Sequence, residues 1–303
     1  MGDILAKTFS LILIIIITYL LKQKGVFKES DKDFLSKILI TVNLPCVIIS
    51  GFKNYTFNSS ATIAILLGML TNAIALFIAY FISKKNNNEL KTLKMMCIAG
   101  YNIGIMSLPF IMTFLPESAF VSVMLFDMGN ALFVFGTSFA ITKMVVNKEK
   151  TNPLTAILKK IFSSVPFITY IVMLLTLIFN IKLPSTIYYF TDIGKDATVF
   201  LGMVIIGIML DFKFNFKEIK ELFSVVRLRY IYAVALAIIL FLLPLDVPPE
   251  EKKGFILCVF APISTSSVVY MVQMKCSSRK IGLISSICTI ISLIFMILVV
   301  LFI

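Results

Sequence analysis

The chain sets one long apolar run after another between short basic connections, beginning with Leu11-Ile12-Leu13-Ile14-Ile15-Ile16-Ile17. A helix rises 1.5 Å per residue, so about 20 mostly apolar residues are needed to cross ~30 Å of hydrocarbon. Runs of that kind fall near 4–21, 34–52, 60–82, 93–114, 118–141, 156–179, 186–210, 224–243, 254–273 and 279–302. The reading is an all-α polytopic membrane protein with about ten transmembrane helices. The least regular spans are the second, with Lys37, Asn43 and Pro45, and the seventh, with Asp192, Lys195 and Asp196. The 303 residues are 59% apolar and 15% charged, which leaves no stretch for a water-soluble domain.

The net charge of +12 belongs to topology. Taking the connections alternately, 22 of the 28 Lys and Arg fall on one side and five on the other, with Lys195 inside a span. Arg227 and Arg229 count with the basic side. By the positive-inside rule that side is cytoplasmic, and both termini face outside a cell membrane, plasma or inner. The charges serve orientation and lipid headgroups, and no nucleic-acid partner is implied. The first run is not a cleavable signal peptide: Asp3 and Lys7 precede it, while Lys22, Lys24, Lys28, Lys32 and Lys37 follow it.

Several function classes recede. Histidine is absent, and Cys46, Cys97, Cys258, Cys276 and Cys288 are scattered singly, so no zinc site, disulfide framework or other metal set is expected. A membrane-embedded enzyme would need convergent acids, bases or metal ligands, which are scarce. No GxxxxGK[ST] loop is present for ATP.

The connection around 143–160 holds Asn152 and Pro153, a helix-stopping pair, and splits the chain into 1–150 and 151–303. Each part carries five spans. Five is odd, so the second part enters from the opposite side, giving an inverted repeat of the kind found in secondary transporters. The fourth span reads Ala99-Gly100-Tyr101-Asn102-Ile103-Gly104-Ile105-Met106-Ser107-Leu108-Pro109. Its counterpart, the ninth, reads Phe260-Ala261-Pro262-Ile263-Ser264-Thr265-Ser266-Ser267. Interruptions at corresponding places in two halves point to a transport site, because unwound backbone belongs on a cavity. Pro109 with Gly104, and Pro262 with Ser264, Thr265 and Ser266, are the expected breaks. Simple kinks are the alternative.

Asp127, in Phe126-Asp127-Met128-Gly129-Asn130, is a carboxylate inside the fifth span, and Asn130 shares its helix face. Ion coupling, substrate contact and a structural hydrogen bond all fit it. Asn43, before Leu44-Pro45, suits either a bond to carbonyls freed by Pro45 or a binding role. Asn72 with Thr71 reads as a helix–helix hydrogen bond, and Gly202 and Gly207 read as close-packing positions.

Taken in order, Asn43-Leu44-Pro45, Asn102-Ile103-Gly104 through Leu108-Pro109, the Asn130 region and Ala261-Pro262 with its Ser/Thr run resemble the auxin efflux carrier-like family. The resemblance spans essentially the whole chain. It implies a fold like that of bile-acid–sodium symporters, in which two broken helices cross at prolines, here Pro109 and Pro262. It further implies a scaffold from helices 1, 2, 6 and 7, a mobile part from helices 3–5 and 8–10, and a homodimer through the scaffold. The long central cytoplasmic loop of many plant relatives is missing. The implied activity is secondary transport, as efflux or exchange, of a small organic anion such as a carboxylate or indole acid. Substrate is expected near Asn102, Pro109, Pro262 and Thr265, with Asn43 contributing from the scaffold. No cofactor is expected. The coupling ion is left open between H+ and Na+, the latter unassigned at the crossing. A channel or a non-transporting receptor on the same fold is the rival reading.

Overall fold

A computed structural model describes residues 2–55, 58–147, 155, 158–159, 161–211 and 216–303. Among the described residues the regular elements are helices, apart from one isolated bridge between Tyr101 and Ile263. The first helix, α1 (Gly2–Gln23), has Asp3 in its first turn and Lys22 in its last, each complementing the helix dipole. The next crossing is composite: α2 (Asp31–Ile38), a π-turn (Leu39–Asn43) and α3 (Leu44–Gly51). Pro45 has no N–H and clashes with the preceding turn, and the wider π-turn just before it absorbs the misfit. Then come α4 (Ser59–Ser83) and α5 (Asn88–Ile98). After an irregular stretch, a second π-turn (Ile103–Ser107) leads into α6 (Leu108–Phe114). A third π-turn (Phe133–Thr137) joins α7 (Glu117–Leu132) to α8 (Ser138–Asn147). The remaining helices are α9 (Val165–Ile178), α10 (Ser185–Met209), α11 (Phe216–Leu242), α12 (Pro249–Val259), α13 (Thr265–Gln273) and α14 (Ser278–Phe302).

Among the described residues six helices are long and apolar enough to cross a membrane: Gly2–Gln23, Asp31–Gly51, Ser59–Ser83, Glu117–Asn147, Leu222–Leu242 and Ser278–Phe302. Ile103–Phe114 and Val165–Ile178 are shorter apolar helices. The outer surface is itself apolar, with Phe9, Phe77, Phe190, Phe241 and Phe302 all more than half exposed. Such a surface is stable against lipid and not against water. The chain is a multi-pass helical membrane protein. The expected division at Asn152-Pro153, with Lys148, Lys150, Lys160 and Lys213, lies outside the described residues.

Helices α1, α3, α9 and α10 pack in one group, with α10 lying against α1 and α3 and α9 against α3. A second group joins α4, α5, α7, α11, α12 and α14. Its tightest contact is between α4 and α7. A Cβ on Gly68 would come within 2.0 Å of the Phe126 carbonyl, and one on Gly129 within 2.2 Å of the Ile65 carbonyl. Small residues let two backbones approach where apolar burial offers no drive for association. Gly207 fits against Ile15 and Thr18, and Gly202 against Pro109. Pro109 therefore packs within an intact helical turn of α6 and makes no break, contrary to the expectation from its sequence. The fourth span is interrupted earlier, at 99–102.

Candidate functional site

Two extended segments meet inside the bundle. One follows α5, where Ala99 is extended and Gly100 has φ +88°, and the other lies between α12 and α13. They run antiparallel through the Tyr101–Ile263 bridge. The Asn102 N–H donates to the Pro262 carbonyl at 3.0 Å, and the Ser264 N–H donates to the Gly100 carbonyl at 3.3 Å. Each interruption thus answers part of the other's backbone demand, which in a dry interior must be met locally. Gly100 occupies a left-handed conformation that a side chain would strain. A Cβ there would also stand 3.2 Å from both Ser264 Oγ and Ser267 Oγ.

Two asparagines complete the first break. Asn72 Oδ1 accepts the Gly100 N–H at 2.6 Å, and Asn130 Oδ1 accepts the Tyr101 N–H at 3.0 Å. Asn130 Nδ2 donates to the Tyr101 carbonyl at 2.9 Å and to Asp127 Oδ1 at 2.9 Å. Asn72 Nδ2 donates to Asn130 Oδ1 at 3.2 Å and to the Gly68 carbonyl at 2.7 Å. Every donor and acceptor of Asn130 is used. The helix–helix bond expected of Asn72 exists, and its second function is to hold the unwound strand.

The far side of the crossing is closed by Arg229 of α11, which is 2% exposed. Its guanidinium donates to the carbonyls of Cys97, Ile98 and Ala261 and lies 5.8 Å from the Tyr101 ring centroid. Arg229 reads in sequence as a connection residue facing headgroups. The structure places it inside the second group of helices. Leu222-Phe223-Ser224-Val225-Val226, an apolar stretch before it, was the available signal. In the same turn of α11, Tyr230 donates to the Cys288 carbonyl of α14 at 2.5 Å, and Tyr232 donates to the Thr71 carbonyl of α4, next to Asn72.

On the opposite side of the crossing lies a cavity of about 70 Å³. The crossing contributes Tyr101, Asn102 and Gly104 together with Ser264, Thr265 and Ser266. The fifth span contributes Asp127 and Asn130, and Leu44, Phe167 and Tyr170 close it from the first group of helices. Asp127 is half-buried and accepts from the Tyr170 hydroxyl at 3.4 Å, a contact between the two helix groups. The helix starts at Ile103 and Thr265 both open here. First-turn N–H groups have no acceptor within their helix, and the dipole makes each end partly positive. Ser264 caps the second by accepting the Ser267 N–H at 3.1 Å. Asn102 Nδ2 and Thr265 Oγ1 are buried without hydrogen-bond partners.

Of the residues expected from sequence, Asn102, Gly104, Asp127, Asn130, Ser264, Thr265 and Ser266 line this cavity together. Four do not line it. Asn43 Nδ2 donates to the Gly194 carbonyl at 2.9 Å and ties the second span to α10. Pro45 sits in the first turn of α3, Pro109 packs on Gly202, and Pro262 supplies its carbonyl to Asn102 within the break. Tyr170 went unnoticed in the sequence because nothing local marks it, and its meeting with Asp127 is a product of the fold. Lys195, the one basic residue counted inside a span, pairs with Glu117 at 3.0 Å and so joins α10 to the start of α7.

An all-helical, multi-pass membrane protein with two interrupted helices facing a small, largely apolar cavity that carries a few polar groups is the class this geometry describes. Residues 3–140 match the family model described as "Membrane transport protein", which supports the resemblance to the auxin efflux carrier-like family. No curated protein matches the chain.

Proposed function

We propose that the protein is a secondary carrier that exports or exchanges a small organic anion, such as a carboxylate or an indole acid, by alternating access at the crossing. The observation that carries this reading is the cavity itself. It presents two helix N-termini and two unpartnered donors, Asn102 Nδ2 and Thr265 Oγ1, at one place. Each helix end is equivalent to roughly half a positive charge, so the pair offers about one unit to a carboxylate. Phe167, Tyr170 and Leu44 give an organic group apolar surface opposite those donors.

The cavity lies between the two groups of helices, which supports their roles as scaffold and moving part. In this reading the ten spans form two inverted fives, the scaffold comprises the first, second, sixth and seventh spans, and a homodimer forms through it in the cell membrane. No part of the cycle needs a cofactor.

Asp127 sets the coupling. A bound carboxylate and an ionised Asp127 would repel each other in the same small site. Substrate entry therefore accompanies protonation of Asp127, and the Tyr170 contact between the helix groups changes with it. Asp127→Asn is expected to remain folded and to remove the pH dependence of exchange in proteoliposomes. A variant with the wild-type pH profile would reduce Asp127 to a structural hydrogen-bond acceptor.

A further inference from the structure

Arg229 sits where the two interruptions expose their carbonyl ends. Helices α5 and α12 both terminate at the crossing, and each C-terminus is equivalent to roughly half a negative charge. Together they present about one unit of negative charge, the right amount for one cation. Unwound carbonyls and half-helix C-termini are also what membrane carriers use to bind an inorganic coupling ion. Here the guanidinium takes those acceptors: Cys97 and Ile98 at the end of α5, and Ala261 after α12. It is buried, and Tyr101 covers it with a ring face. A charge at this depth is costly unless matched, and the two helix ends match it.

We infer that Arg229 is a tethered counter-cation, filling the carbonyl-lined position at the crossing so that no Na+ binds there. The consequence for transport, that the cycle needs no Na+ at the crossing, rests on the carrier reading. The occupancy itself does not. Arginine suits the task because its planar fork can serve carbonyls from both segments at once, which a lysine ammonium on a flexible stem does less well. A fixed cation also travels with the crossing as the helices move, so the charge match persists through the cycle.

The test is a melting series on purified protein in detergent, with Na+ replaced by choline at constant ionic strength. Wild type should melt at the same temperature in both. Arg229→Ala should melt several degrees lower, and millimolar methylguanidinium or Na+ should raise it saturably towards wild type, whereas choline should not. Arg229→Lys, which keeps a charge, should fall between the two and covers the case in which Arg229→Ala does not fold. Saturable stabilisation of wild type and Arg229→Lys alike by Na+ over choline would overturn the inference. So would an Arg229→Ala protein that melts like wild type. These readouts need no transported substrate, so they stand if the carrier reading fails. Failure of the cation inference would in turn leave anion exchange untouched.

Discussion

The two interruptions at the centre of this protein look alike in sequence and are built differently. The second contains its proline: Pro262 lies in the extended segment, lends its carbonyl to Asn102, and is followed by Ser264 as the cap of the next helix. The first does not. Its proline, Pro109, lies inside α6 beyond a π-turn, while the extended segment centres on Gly100 and Tyr101. A missing N–H can be absorbed by a wider turn, as at Pro45 and Pro109. What fixes a break is a set of partners for the freed backbone groups. The first break draws these from Asn72, Asn130 and Arg229, and the second from the first break and Arg229. Helix-breaking residues and broken helices are therefore separate questions.

That contrast is easiest to break at Asn130. Asn130→Ala would leave the Tyr101 N–H and carbonyl without this partner in a buried site and remove one of the two acceptors of the Asn72 amide. Each such group costs about 1–3 kcal/mol, so a loss of roughly 3 kcal/mol or more is expected. Thermal melting of purified protein checks this, and a small change would mean that the first break holds itself open. Gly100→Ala comes next. The left-handed conformation costs about 1–2 kcal/mol for a residue with a Cβ, before any displacement of Ser264 and Ser267. The same melting assay should show a smaller fall than for Asn130→Ala.

The prolines sharpen the comparison functionally. Pro262→Ala restores an N–H within the break and should slow exchange markedly. Pro109→Ala restores an N–H within a helix that already accommodates its absence, loses ring packing on Gly202, and should slow exchange less. Equal effects in proteoliposome exchange would restore Pro109 to the crossing.

The smallest expected effect lies outside the membrane, where the first interrupted span is tied to the start of α14 at the basic side. Glu89, in the first turn of α5, accepts the Ser277 N–H at 3.0 Å and Lys280 Nζ at 2.9 Å. Those two partners hold its carboxyl below the usual carboxylate range. The stability it contributes is present above the unfolded carboxylate's pKa, about 4.3, and is lost as pH falls through the lower folded value. Glu89→Gln should melt slightly below wild type at neutral pH, with the gap closing in acid. A gap independent of pH would assign the effect to something other than this carboxylate.

Much of this arrangement can be read from the chain. Apolar runs locate the helices, and Pro262 with its Ser/Thr run locates the second break, because both signals are local. Asp127 and Asn130 stand out because polar groups are costly in such runs. The supporting residues are less legible. Asn72 is one of several amides suited to a helix–helix bond, and only the fold reveals Gly100 opposite it. Arg229 hides among the basic residues that orient the chain, two positions from Arg227. Gly100 is one small residue among many in membrane helices, where close packing is the ordinary explanation. Asn43 misleads for the same reason in reverse: its motif position suggests the cavity, while its amide reaches α10.

The central claim is that the cavity beside the crossing binds the transported anion. Counterflow of radiolabelled carboxylates and indole acids into proteoliposomes measures it most directly, comparing wild type with Asn102→Ala and Thr265→Val of matched folded content. The account predicts saturable counterflow of at least one such acid by wild type, and its loss in both variants. An absence of counterflow for every acid under any ion gradient, or undiminished counterflow in both variants, would contradict it.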